Sequence, residues 1–271
     1  QNLGGGIVTA QMLAEQVARQ DTWTPLSERA AKDRTWAYGH IVVDEAQELS
    51  PMAWRALLRR CPSRSFTVVG DLDQRRGSKR PPTWEKALGP AARALAAEYA
   101  LTVSYRTPAT LTTLAEGVVA RAGVPVLYPM TAVRDVDDCY RVTHVDAPED
   151  APASSKDNSP LWRTVAQAQR EAEERLDREA GTSRGRIAII VGNERARAWG
   201  ADVDGETALS ERVSLLSAVA SKGLEFDSVI LVEPAEILSD GVGDLFVALT
   251  RATHDVHVVH SAPLPAGMEE W

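Results

Sequence analysis

The feature that most constrains the fold is a paired strand pattern within residues 40–74. Residues 41–43 are Ile-Val-Val, a short apolar run that predicts a strand buried on both faces. Residues 66–69, Phe-Thr-Val-Val, predict a second strand of the same kind. Between them, Ser50 and Pro51 provide an N-cap and a first-turn proline, which are typical of a helix start. The stretch therefore predicts a strand–helix–strand unit of an α/β protein.

Two carboxylates, Asp44 and Glu45, directly follow the first of these strands. Ligands of open α/β sheets bind at the carboxyl ends of the strands, where an acid commonly holds Mg²⁺ and its neighbour aligns or deprotonates a water. We therefore predict that Asp44 is a Mg²⁺ ligand and that Glu45 activates the water. The second strand also ends in polar residues, 70–74. For Asp-Glu alone, an ordinary capped turn between strand and helix would be the simpler interpretation.

Taken together, these segments resemble superfamily 1 helicases of the UvrD/Rep type. Residues 44–47, Asp-Glu-Ala-Gln, are similar to the Walker B motif of that family. Residues 68–74, Val-Val-Gly-Asp-Leu-Asp-Gln, are similar to its motif with a γ-phosphate-sensing glutamine, here Gln74. The resemblance implies ATP and Mg²⁺ as cofactors. It also implies an α/β fold of two RecA-like (P-loop NTPase) lobes, each with a parallel sheet flanked by helices.

Three further segments resemble motifs of this family, and they occur in the family's order. The first is Ser-Tyr-Arg at residues 104–106, similar to the motif that opens the second RecA-like domain. The resemblance implies that Arg106 reaches the γ-phosphate and that Tyr105 stacks on the adenine. A planar guanidinium suits the first role because it stabilises charge that spreads over several phosphoryl oxygens.

The most specific signature is Lys-Gly-Leu-Glu-Phe-Asp at residues 222–227, which matches the family motif letter for letter. It implies nucleotide contacts from Gly223 and Glu225, with Glu225 accepting a hydrogen bond from a ribose hydroxyl. Val219 and Ala220 occupy the place where family members often have His and a polar residue. The motif therefore supports contact with ATP more strongly than contact with a nucleic-acid strand.

The last motif, within residues 244–253, resembles Tyr-Val-Ala-Leu-Thr-Arg-Ala of the family and makes Arg251 a second arginine finger. The resemblance implies a catalytic set drawn from every motif except residues 222–227, which contact the nucleotide. Its members are Asp44, Glu45, Gln74, Arg106 and Arg251.

One motif of this family has no counterpart in the sequence. A P-loop needs GxxxxGK[ST], because glycine backbone N–H groups cradle the phosphates and the lysine reaches the β- and γ-phosphates. The sequence contains no Gly-Lys dipeptide. We expect the Walker A segment to lie N-terminal to Gln1 or to be lacking. The first lobe is then incomplete, and these residues alone should not hydrolyse ATP.

The order of the motifs divides the chain into three predicted parts. Residues 1–35 are expected to form connector helices. Residues 36–100 correspond to the C-terminal half of the first RecA-like domain, and residues 101–271 to the second. ATP is expected to bind between the two lobes, and closure on the nucleotide is expected to bring the arginines to its γ-phosphate.

Composition narrows the classes of function. The net charge of −8 is unusual for a protein whose main work is neutralising a phosphate backbone, and the excess acid lies in residues 101–271. The basic run at residues 75–82 fits either phosphate contact or a solvated loop. Cys61 and Cys139 show no metal-ligand spacing and are predicted to be reduced thiols. The sequence has no membrane-length apolar run and no signal-peptide pattern, which predicts a soluble, cytoplasmic protein.

Within the family, residues 34–40 and 48–74 resemble actinobacterial HelD-type proteins, and the likeness extends over about residues 25–265. This resemblance implies RNA polymerase as partner and ATP-driven recycling of stalled or inactive polymerase. Residues 121–184 leave no room for the large inserted domain of UvrD, which agrees with it. The first alternative is a UvrD-like 3′–5′ DNA helicase of repair or replication, with single-stranded or duplex DNA as partner. The second is a motor-derived binding module without catalysis, since Walker A is missing.

Overall fold

The computed structural model describes residues 37–75, 81–146, 159–201 and 211–269. The chain divides into two compact units. The first is Gln1–Val69 with Leu88–Leu95, and the second is Gly70–Ala87 with Ala96–Trp271. The predicted connector helices of residues 1–35 and most of the basic run at 75–82 lie outside the described residues. The predicted domain boundary near residue 100 stays a prediction.

The first unit contains the predicted strand–helix–strand pattern. Strand β1 (Ile41–Val43) pairs in parallel with β2 (Phe66–Val68), and helix α1 (Pro51–Arg60) lies between them in sequence. The Ser50 hydroxyl caps α1 by accepting a hydrogen bond of 3.1 Å from the Ala53 backbone N–H. Helix α1 packs against a 3-10 helix at Gly89–Ala94, and Trp54 is fully buried. The predicted strands and helix are therefore confirmed.

The prediction that β1 and β2 are both buried strands is wrong. In β2, Thr67 is exposed and its two neighbours are half-buried. Val43 is buried, whereas Val42 is 68% exposed. Alternate side chains of a strand point to opposite faces, and the described residues of this unit cover only the face that carries Val43. An apolar run of three residues does not distinguish a doubly covered strand from a singly covered one.

A five-stranded parallel sheet forms the centre of the second unit, in the order β5–β9–β8–β6–β7. Its strands are β5 (Tyr140–His144), β6 (Ile187–Val191), β7 (Val213–Ser217), β8 (Phe226–Val232) and β9 (Ala252–His260). The short strands β3 (Val103–Ser104) and β4 (Thr131–Ala132) form a separate parallel pair. The helices are α2 (Trp84–Leu88), α3 (Ala109–Arg121), α4 (Pro160–Glu179), α5 (Asn193–Trp199), α6 (Pro234–Asp240) and α7 (Val242–Leu249).

Helices cover both faces of this sheet. All five residues of β6 are buried, and they alternate between two apolar clusters. Ala188 and Ile190 belong to the cluster with α3, α6 and α7, whereas the other three residues of β6 belong to the cluster with α4 and α5. Parallel strands covered on both faces need such continuous apolar runs. The structure thus confirms the predicted α/β class with parallel sheets flanked by helices.

Two further predictions concern the cysteines and membrane segments. Cys61 and Cys139 are buried and free, as predicted, and burial raises the pKa of the Cys139 thiol. Over the described ranges, no helix combines the length and the apolar character that crossing a membrane requires.

Candidate functional site

The predicted catalytic carboxylates follow β1 directly, and the second of them has an unusual backbone. Glu45 lies in the left-handed region, with φ 48° and ψ 38°. Its Oε2 accepts a hydrogen bond of 2.5 Å from Nε2 of the buried Gln47. The next backbone N–H, that of Ala46, donates to the Val69 carbonyl at 3.1 Å. A left-handed non-glycine residue persists only where surrounding contacts fix it, and such residues concentrate at functional sites.

Asp44, the predicted Mg²⁺ ligand, lies at the carboxyl end of β1. Its side chain is exposed, and its Oδ1 accepts a hydrogen bond of 2.9 Å from the Glu45 backbone N–H. Proteins usually hold Mg²⁺ through one or two carboxylates, with substrate phosphates and waters completing the octahedron. In the part of the chain that the structure describes, no three His, Cys, Asp or Glu residues form a metal-binding group. Asp44 alone could hold Mg²⁺ only if phosphate oxygens and waters supplied the other ligands.

In the second unit, the structure brings Gln74 and Arg251 together across 177 positions of sequence. Arg251 Nη2 donates to Gln74 Oε1 at 3.4 Å. The rest of this buried guanidinium is oriented by backbone carbonyls, with Nε donating to Val247 O at 3.2 Å and Nη1 to Leu224 O at 3.4 Å. Gln74 itself ends a 3-10 helix, Leu72–Gln74. The guanidinium plane is therefore fixed by two segments, and Nη2 faces the glutamine.

Arg106 and Glu225 form an ion pair in the same unit. Their side chains are 48% and 45% exposed, and exposed pairs of this kind contribute only about 0–1 kcal/mol of stability. Either partner can therefore exchange this contact for a ligand group at small cost. Tyr105 beside the pair is exposed, and Gly223 has a left-handed φ of +72° with open space where a side chain would be.

The segment around Leu224 and Glu225 links the two arginines. Leu224 contacts Arg251 through its carbonyl, and its neighbour Glu225 contacts Arg106 through its carboxylate. Four residues that the sequence assigns to nucleotide binding or turnover, Gln74, Arg106, Glu225 and Arg251, therefore connect within one unit. Asp44 and Glu45 belong to the other unit.

No role was predicted for two nearly buried residues of this cluster, Lys222 and Asp244. Lys222 Nζ donates to the Gln74 carbonyl oxygen at 2.5 Å and lies 3.8 Å from Asp244 Oδ1. Gln47, which holds Glu45, also received no role of its own. All three residues lie inside or at the edge of a recognised motif, and that position is the signal that could have identified them.

The chain was also compared with known proteins. No protein-family model matches it, and the comparison with curated proteins gives no match. Among solved structures, it is similar to Arterivirus nonstructural protein 10 (helicase), with a TM-score of 0.45, 17% identity, and 86% of this chain and 42% of that chain covered. For the complex of that helicase with DNA, the TM-score is 0.42, the identity 17%, and the coverage 82% and 40%.

The C-terminal domain of a possible DNA helicase from Lactobacillus plantarum WCFS1 is a further similar structure. Its TM-score is 0.38 and its identity 18%, with 61% of this chain and 92% of that domain covered. This chain therefore spans less than half the length of the arterivirus helicase. Because the three TM-scores lie below 0.5, the fold assignment rests on the parallel strands described above.

Proposed function

We propose that this chain is the C-terminal motor fragment of an ATP-hydrolysing, superfamily 1 helicase-like protein. The observation that carries the proposal is the connected cluster in the second unit, where adjacent residues Leu224 and Glu225 contact Arg251 and Arg106. Arg251 contacts Gln74 directly, and Arg106 is linked to Arg251 through residues 224 and 225. Guanidinium groups are donors suited to phosphoryl oxygens.

The residues would divide the chemistry between positioning and charge stabilisation. Glu45 accepts the proton of the attacking water, and its contact with Gln47 orients the carboxylate. Arg106 and Arg251 stabilise charge on the γ-phosphoryl oxygens, and Gln74 reports whether that group is present. When bound through Asp44, Mg²⁺ supplies neutralisation of the phosphate charge.

Nucleotide binding would use a second set of groups in the same unit. Glu225 accepts from a ribose hydroxyl, Tyr105 stacks its exposed ring on the adenine, and the bare Gly223 lets the nucleotide approach the backbone closely. The weak pair between Arg106 and Glu225 separates as these ligands bind, which frees the guanidinium for the γ-phosphate.

We further propose that the parent protein is a HelD-type factor that uses ATP hydrolysis to recycle RNA polymerase. The resemblance of residues 34–40 and 48–74 supports this assignment, and so does the acidic composition of residues 101–271. A protein partner does not require the basic groove that binding to a phosphate backbone requires. The parent sequence is expected to contain GxxxxGK[ST] N-terminal to Gln1.

The test compares ATP turnover by the full-length protein, alone, with single-stranded DNA and with purified RNA polymerase. Turnover without a response to DNA, together with co-purification of the polymerase, is the expected result. The variant Glu45→Gln should lose turnover and retain nucleotide binding, because the amide cannot accept the proton. Strong stimulation by DNA with unwinding of a 3′-tailed duplex would instead identify a UvrD-like helicase. Normal turnover by Glu45→Gln would overturn the assignment of the base.

A further inference from the structure

Residues 71–75, here called the strap, carry Gln74 and contact other segments of the second unit. The Asp73 Oδ2 accepts a hydrogen bond of 2.9 Å from the Leu127 backbone N–H, and Leu72 is fully buried. Inside the strap, the Asp71 carboxylate accepts from the Asp73 backbone N–H at 2.8 Å and from Gln74 Nε2 at 3.0 Å. The amide nitrogen of Gln74 is thus occupied within the strap, which presents its oxygen to Arg251.

Gly243, near the start of α7, lies against the backbone of the strap. A Cβ at this position would lie 2.4 Å from the Arg75 carbonyl oxygen and 3.0 Å from that of Asp73. Both atoms are backbone, so no side-chain rotation could relieve the overlap. Gly243 belongs to a helix, where glycine costs about 1 kcal/mol relative to alanine. Its backbone conformation does not demand glycine, whereas the contact with the strap does.

A buried charge pair makes a second connection between α7 and the strap. The side chains of Lys222 and Asp244 are only 10% and 5% exposed, and Nζ lies 3.8 Å from Oδ1. The same ammonium donates to the Gln74 carbonyl oxygen at 2.5 Å. A buried ammonium is costly unless it is paired and hydrogen-bonded, and Lys222 makes a contact of each kind. Lys222 therefore fixes the backbone of the residue whose side chain meets Arg251.

We propose that Gly243 and the pair Lys222–Asp244 are positioning residues, which seat the strap on α7 so that the Gln74 carboxamide meets the Arg251 guanidinium. Gly243 admits the strap backbone, and Lys222 fixes the register of Gln74 along it. The effect on catalysis rests on the proposed function, whereas the seating of the strap does not depend on it. Sequence comparison with the family motifs gave no role to any of these three residues.

The first arm of the test measures amide hydrogen exchange of residues 72–75 in the full-length protein carrying Gly243→Ala. The matched control is Gly117→Ala in α3, where the new Cβ would meet only the flexible tip of Arg121, 3.1 Å away. Exchange in the strap should quicken about tenfold in Gly243→Ala and stay unchanged in the control. Unchanged exchange in Gly243→Ala, or the same change in both variants, would overturn the proposal.

The second arm measures ATP turnover by Gln74→Ala, Gly243→Ala and the combined variant. If Gly243 acts through Gln74, both single variants should lower kcat, and the combined variant should be no slower than the worse of them. Additive losses would overturn the positioning role. Lys222→Met, which keeps the stem and removes the ammonium, provides the same comparison should Gly243→Ala fail to fold. If the wild-type protein shows no turnover, the proposed function fails. The hydrogen-exchange measurement still tests whether Gly243 seats the strap on α7.

Discussion

Glu45 combines a strained backbone with a restrained carboxylate, and these two properties have separate causes. Its left-handed conformation is unfavourable for a residue with a Cβ, while the buried Gln47 restrains its side chain. Natural sequences retain such local conflicts mainly where function requires them. The sequence identified Glu45 through its place after a strand, but no pattern in the letters indicates a positive φ.

The strain at Glu45 predicts different stabilities for two truncating variants. Glu45→Gly should unfold with a free energy about 1 kcal/mol larger than that of Glu45→Ala, since glycine adopts the left-handed region without the Cβ clash. Both variants lose the carboxylate, so the contact with Gln47 is absent from each and cancels in the comparison. Urea denaturation followed by circular dichroism measures the difference. Equal stabilities, or a more stable alanine variant, would show that the backbone at this position is not strained.

At the scale of elements, the sequence predicted those strands and helices that apolar runs and capping residues mark. The apolar runs at residues 41–43 and 66–69 predicted β1 and β2, and the serine–proline pair predicted the start of α1. The exposed face of β1 could not be predicted, because three apolar residues do not show what covers them. The contact of Gln74 with Arg251 joins residues 177 positions apart, and no local pattern in the sequence predicts it. The resemblance to the family motifs predicted that Gln74 and Arg251 act at one site. It predicted neither the strap nor the role of Gly243.

The interface between β5, β9 and α4 contains a buried histidine and predicts sensitivity to acid. His257 on β9 shares a 2.8 Å hydrogen bond with Thr143 on β5. Burial lowers its pKa, the charge of Arg141 lowers it further and that of Arg175 adds to this, while Glu171 and Asp255 partly oppose the shift. The histidine of the unfolded chain has a pKa of about 6.5, so below that pH the unfolded state binds more protons than the folded state. Folding stability should therefore fall as the pH falls below about 6.5.

The measurement compares unfolding free energies of the wild type and His257→Gln between pH 7.5 and 5.5. Glutamine cannot titrate but retains a donor and an acceptor for Thr143. The wild type should lose more stability over this range than the variant does. Parallel curves would show that His257 does not contribute to the acid sensitivity.

At the scale of the whole molecule, the proposed reaction uses residues from distant parts of the chain. The carboxylates Asp44 and Glu45 belong to the first unit, whereas Gln74 and the two arginines belong to the second. Groups that act together on one transition state show strongly non-additive losses when they are removed. The order of the motifs predicted that the carboxylates and the arginines belong to different lobes, but it assigned Gln74, within residues 36–100, to the lobe of the carboxylates. The cluster around Leu224 and Glu225 supports the grouping of the two arginines.

The most direct measurement is ATP turnover by the full-length protein carrying Arg106→Met, with Arg163→Met as a control at an exposed arginine of α4 in the same unit. Because an arginine finger contributes about 10³-fold or more to phosphoryl transfer, Arg106→Met should lower kcat by about that factor and leave folding intact. Arg163→Met should hydrolyse ATP like the wild type. Adding Glu45→Gln to Arg106→Met should cause no further loss beyond the worse single variant. Wild-type turnover by Arg106→Met would contradict the account.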